Sequence, residues 1–152
     1  MKKFKYKMEN ILNIKYKLEE QSKVVYGEAK RKLEIEINKL QTLEQKKESY
    51  CNQLKDMMCS RLNVIEIKQC ENAVETIKYH IKIQNFEVKR AEQNLENARI
   101  KMNQEMVERK THEKLKEVAL LEYLREQSSE EMKEIDELVS FKYNNNKSSE
   151  DE

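Results

Sequence analysis

Residues 40–81 read LQTLEQKKESYCNQLKDMMCSRLNVIEIKQCENAVETIKYHI, and a change of phase inside them sets the architecture. In alternate steps of three and four, Leu40, Leu43, Lys47, Tyr50, Leu54 and Met57 fall on one stripe of a helix. Ile67, Cys70, Val74, Ile77 and Ile81 fall on a second stripe, and Ser60-Arg61-Leu62-Asn63 separates the two. Asn63, with Glu66 three residues on, reads as an N-cap and capping box: the amide oxygen accepts from free N–H groups and the carboxylate reaches back to the cap. A turn at about residues 59–63 folds the second helix back on the first. Residues whose numbers sum to ~122 then face each other, which brings Leu40 to Ile81, Leu33 to Val88 and Lys47 towards Glu75.

Backward from Leu40 the stripe runs through Glu36, Leu33, Ala29, Val25, Ser22, Leu18, Lys15, Ile11, Met8 and Phe4. Two successive four-residue steps, Val25 to Ala29 to Leu33, form a stutter that would locally unwind a left-handed supercoil, and Gly27 sits inside it. Forward from Ile81 the second stripe passes through Gln84, Val88, Ala91, Leu95, Ala98 and Met102. After Met106 the pattern loosens, with Leu115, Val118, Leu121, Met132, Ile135, Leu138 and Phe141 still spaced for a helix. Lengths of ~80 Å and ~115 Å, at 1.5 Å per residue, leave the second helix overhanging. The expected fold is all-α: a long antiparallel two-helix coiled-coil hairpin over residues 1–143. Its first helix covers about 4–58, its second about 64–142, and the polar, acidic residues 144–152 form a disordered tail.

Composition agrees. Of the 152 residues 38% are hydrophobic and 39% charged, too little apolar material for a multilayer core, and there is one Gly, no Pro and no Trp. The first 17 residues carry six Lys against one Glu, whereas residues 122–137 carry seven acids against two bases, and the hairpin sets these opposites side by side. A net charge of +1 gives no field to attract nucleic acid, and no window approaches the ~18 apolar residues of a membrane insertion. Cys51, Cys59 and Cys70 are odd in number and lack a CxxC pair, so they read as reduced structural thiols. His80 and His112 have no His or Cys at metal-ligand spacing, no glycine-rich phosphate loop occurs, and a slender hairpin offers no rigid Ser/His/Asp site. Catalysis, metals and cofactors are therefore not expected.

The segment AEQNLENARIKMNQEMVERKTHEKLKEVALLEYLREQSSEEMKEIDELVSFKY, residues 91–143, contains Glu108-Arg109-Lys110, Glu113-Lys114-Leu115-Lys116 and Glu131-Met132-Lys133-Glu134-Ile135-Asp136-Glu137. The opening FKYKMENILNIKYKLEE carries Phe4, Ile11-Leu12 and Glu19-Glu20. On these runs the whole chain resembles the FliJ family of flagellar type III export proteins, departing from it at His112, where Leu is expected.

That resemblance implies a non-enzymatic cytoplasmic component at the inner face of the cell membrane, at the flagellar base. It implies a stalk-like hairpin, similar to the central stalk of rotary ATPases, that sits in the export ATPase hexamer and promotes its assembly and turnover. The implied further partners are the export gate membrane protein and the export chaperones, which the family escorts. Carried onto this sequence, Lys110, Lys114, Lys133, Asp136 and Glu137 are the candidate ATPase contacts, and Leu43, Tyr50, Ile77 and His80 the candidate gate contacts. The competing readings are a generic structural coiled-coil scaffold and a prefoldin-like chaperone; missing strand segments count against the latter.

Overall fold

A computed structural model describes residues 2–60 and 63–150, with side chains described as far as residue 148. The fold is all-α. Helix α1 spans Glu9–Cys59 and helix α2 spans Val64–Glu150, packed together as an antiparallel coiled-coil hairpin. Arg61 and Leu62 of the expected turn, and the last two residues of the expected tail, lie outside the described residues.

The caps follow the local chemistry. Asn63 opens α2: the Ile65 N–H donates to its side-chain oxygen at 3.2 Å and the Ile67 N–H to its carbonyl at 3.0 Å. At the other end of α1, Glu9 N–H donates to Tyr6 carbonyl at 3.3 Å, so the helix starts after the lysine-rich opening and not at residue 4. Crowding four lysines into the positive end of a helix would be unfavourable, whereas Glu9 in the first turn suits it. From Asn144, where a disordered tail was expected, α2 continues as helix to Glu150, and the Ser148 hydroxyl donates to the carbonyls of Asn144 and Asn145.

The chain divides into two compact units. The larger, residues 18–105, carries most of the apolar seam. Cys70, Val74, Ile77, Ala91 and Ala98 are buried on α2, and Ile67, Ile81, Gln84, Val88, Leu95 and Met102 are half-buried in the same alternating spacing. Opposite them on α1, Ala29, Leu33, Glu36, Leu40, Leu43, Lys47, Leu54 and Met57 are half-buried. Polar seam positions are accommodated by specific bonds. The Gln84 amide donates to both the backbone carbonyl and the carboxylate of Glu36, and the Cys70 thiol donates to the Tyr50 carbonyl at 3.5 Å. Buried Ser22 returns its hydroxyl to the Glu19 carbonyl at 2.7 Å, a backbone bond that removes the cost of burying it.

The expected stutter is absent. Val25 is 51% exposed and Tyr26 is half-buried in its place, so the seam steps from Ser22 to Tyr26 to Ala29 to Leu33 in regular alternation. Apolar-first reading chose Val25 because it is the more hydrophobic neighbour, but the supercoil keeps phase by accepting an amphipathic Tyr, whose hydroxyl can remain wet. Gly27 has no unusual φ, lies inside the continuous α1, and has nothing within 4 Å of the position a Cβ would occupy.

The smaller unit joins the residues up to Lys17 with those from Met106 onward. Its centre is Leu12, 3% exposed, while Ile11 and Met8, the expected seam residues, are 40% and 47% exposed. Phe4 packs against Tyr123 with ring centroids 5.4 Å apart.

Candidate protein-binding surface

In the smaller unit the face that α2 turns to α1 is more polar than in the larger. Arg109, His112 and Lys116 take half-buried positions there in three-and-four spacing, with Met106, Ala119 and Tyr123 around them. Lys15 bonds Glu108 at 2.6 Å, Lys116 bonds Glu9 at 2.8 Å, and Arg109 bonds Glu113 at 3.0 Å. Tyr16 donates its hydroxyl to Glu113 while the Arg109 guanidinium lies over its ring at 5.9 Å. The Tyr16 hydrogen bond, then Arg109, holds the Glu113 carboxyl below its usual range, and the Lys15 ammonium does the same for Glu108. His112 sits in this seam, its Nδ1 buried without a hydrogen-bond partner among the described residues.

The apolar residues that follow Met106 lie outside the seam with α1. Val107, Leu115, Val118, Leu121 and Leu124 are exposed, and so are Met132, Ile135, Leu138, Val139, Phe141 and Tyr143. Two stripes therefore run along one helix: a polar one against α1 and an apolar one facing outward. The signal was present in the sequence, because the spacing of Met102 extends without a break to Arg109, His112 and Lys116. Hydrophobicity alone drew attention to the other stripe.

Of the candidate ATPase contacts, Lys110 and Lys114 line a shallow concavity together with Val107, Thr111, Leu115 and Val118. Lys114 also bonds Glu117 at 3.2 Å, an exposed pair of small value that a partner can displace. Lys133, Asp136 and Glu137 lie further along α2, all exposed and outside that concavity. The four candidate gate contacts, Leu43, Tyr50, Ile77 and His80, come together around one groove in the larger unit, with Lys46, Ser49 and Gln53. Within it Ile77 is buried and Leu43 half-buried, so these two serve the seam, while His80 and the edge of Tyr50 face solvent. Among the described residues no three His, Cys, Asp or Glu side chains converge as a metal site.

The model of the family described as "Flagellar FliJ protein" matches residues 4–148. The chain belongs to the FliJ family. Membership makes it a coiled-coil protein associated with type III export, in a family of cytoplasmic, non-enzymatic structural components. A solved structure described as a YscO homolog from Chlamydia trachomatis is similar at a TM-score of 0.74 and 23% identity, over 95% of this chain and 98% of that one, and so shares the hairpin fold. No significant match is found among curated proteins. Among the described residues of this FliJ-family chain no helix is long and apolar enough to cross a membrane.

Proposed function

We propose that this FliJ-family chain binds the hexameric export ATPase through the outward face of α2, with Lys110 and Lys114 at its centre. The observation that carries this reading is the exposed apolar run Val107, Leu115 and Val118 with two lysines beside it, on the side of α2 that α1 leaves uncovered. Apolar area supplies affinity and flanking charge selects the partner, the division of labour usual at protein interfaces. Lys133, Asp136 and Glu137 extend the contact towards the end of α2.

A single hairpin meeting a six-fold ring presents different residues to different subunits, so its orientation can couple to their nucleotide states. It stimulates turnover by binding the assembled ring better than separate subunits, since a ligand shifts an equilibrium only through differential affinity. The groove of Leu43, Tyr50, Ile77 and His80 is the contact for the cytoplasmic side of the export gate, which brings the chain to the inner face of the membrane. Escort of export chaperones completes the proposed role.

The test is turnover of the cognate ATPase with added chain. Stimulation should be largest at low ATPase concentration, fall when Lys110→Glu and Lys114→Glu are combined, and survive Lys46→Glu in the gate groove. Binding of the gate's cytoplasmic domain should show the reverse dependence. An ATPase indifferent to the wild-type chain, or equally impaired by both sets of variants, leaves the structural scaffold as the better account.

A further inference from the structure

Beyond Gln127, whose amide donates to the Tyr123 hydroxyl at 2.9 Å, every described α2 side chain through residue 148 is exposed. Over this stretch Met132, Ile135 and Val139 recur at three and four residues, and Leu138 and Tyr143 widen the stripe on either side. A solitary helix of about 20 residues is marginal in water, and one with an apolar stripe gains its stability by covering that stripe.

The charges beside the stripe restrict what can cover it. In heptad terms Met132 and Ile135 take the two seam positions, which puts Glu131 and Asp136 on the flanks where interhelical charge pairs form. A second copy of the chain would set Glu131 against Asp136 in a parallel pair, opposing like charges. An antiparallel copy, in which like flank positions meet, offers Leu138 or Ser129 and no basic side chain to either acid. The chain's own basic opening is already engaged elsewhere, with Phe4 against Tyr123 and the Lys2 carbonyl accepting from the Tyr123 hydroxyl.

We infer that residues 128–143 form a docking site for an amphipathic helix of another protein, with apolar seam positions and Lys or Arg on its flanks. This goes beyond the ATPase reading, with which it shares only Asp136: Lys133 and Glu137 project from the other side of α2, about 100–140° around from Met132 at 100° per residue. The site is also opposite in charge to the lysine-flanked concavity at Val107–Val118, so one helix carries two outward surfaces for differently charged partners.

The experiment titrates the full chain into a labelled synthetic peptide of three heptads, with Leu and Ile at the seam and Lys at the flanks, read by fluorescence anisotropy. A peptide identical except for Glu at the flanks is the control. The Lys peptide should bind at least about tenfold more tightly than the Glu peptide, with an affinity that falls as salt rises. Ile135→Ser should weaken binding by roughly tenfold to a hundredfold. The double change Glu131→Lys with Asp136→Lys should reverse the preference between the two peptides. Lys110→Glu with Lys114→Glu should leave binding unchanged, which separates this site from the proposed ATPase contact. Equal binding of both peptides, no binding, or indifference to Ile135→Ser overturns the inference. So does concentration-dependent dimerisation abolished by Ile135→Ser, which would make a second copy the occupant.

Discussion

Leu12 and Ile11 are adjacent, similar in size and equally hydrophobic, yet only Leu12 is buried, at 3% exposure against 40%. Truncating Leu12 to Ala removes a side chain from the middle of the smaller unit, on the same face of α1 as Glu9 and Lys15. Large-to-small changes at such positions cost about 2–5 kcal/mol, and a seam only two helices wide can relax, so about 2–3 kcal/mol is expected. Ile11→Ala, at a side chain already 40% exposed, should cost about 1 kcal/mol or less. Because the loss is local, the suitable assay is native-state hydrogen exchange on peptides from 9–17 and 106–123. About 2.7 kcal/mol corresponds to a hundredfold faster opening where exchange follows the open population. Similar acceleration by the two variants, or a larger one from Ile11→Ala, would refute the seam phase assigned to this end of α1.

Gly27→Ala should raise stability by about 0.5–1 kcal/mol, visible as a higher melting temperature, because the site is helical and open and Ala restricts the unfolded chain. Lowered stability would show that the helix needs Gly27 for some contact of its own. Glu108 and Glu113 both titrate below the usual 4.5, so their contribution is complete above that value and is lost as the pH falls through the depressed native range. Exchange in 9–17 and 106–117 should thus accelerate below about pH 4.5 more than in the apolar stretch 67–81; uniform acceleration would argue against it. Thiol labelling of the native chain should modify exposed Cys59 first, Cys51 next and buried Cys70 last, with mass spectrometry giving the order.

The apolar seam of the larger unit was legible because period and hydrophobicity point the same way there: Cys70, Val74, Ile77, Ala91 and Ala98 are all both apolar and in phase. Asn63 was legible because capping is a local bond between one side chain and the next two residues. Where the two signals diverge, hydrophobicity misled. Ile11 outranked Leu12 by position in a chosen count, Val25 outranked Tyr26 by polarity, and Leu115 and Val118 outranked Arg109 and His112. Polar seam positions are hard to read for a physical reason. A polar residue becomes acceptable in a seam once a specific partner satisfies it, as Gln84 does with Glu36 and Lys15 with Glu108, and such partners lie on another helix. The resemblance alone singled out Leu43, Tyr50, Ile77 and His80, which the hairpin brings around one groove, whereas the apolar neighbours of Lys110 and Lys114 emerge only once α2 is folded.

The smaller unit spends its apolar residues unevenly, and that distribution bears on function. Among the described residues its inward face has one well-buried side chain that is apolar, Leu12, and the ion pairs Lys15–Glu108 and Lys116–Glu9 across the helices, each worth about 0–1 kcal/mol. Its outward face holds Val107, Leu115, Val118, Leu121 and Leu124 in reserve, each about half exposed and so able to contribute about 0.7–1.5 kcal/mol if fully covered. A partner that covers even a few of them gains more than the inward ion pairs supply. An apolar inward seam would have made this end of the hairpin firmer at the expense of its surface, since one helix has only so much circumference to divide. The polar seam also fixes register by matching Lys15 to Glu108 and Lys116 to Glu9, which holds the outward stripe at a defined rotation about α2. Weak cohesion with defined orientation is the combination a docking helix requires when its binding energy is to come from the partner.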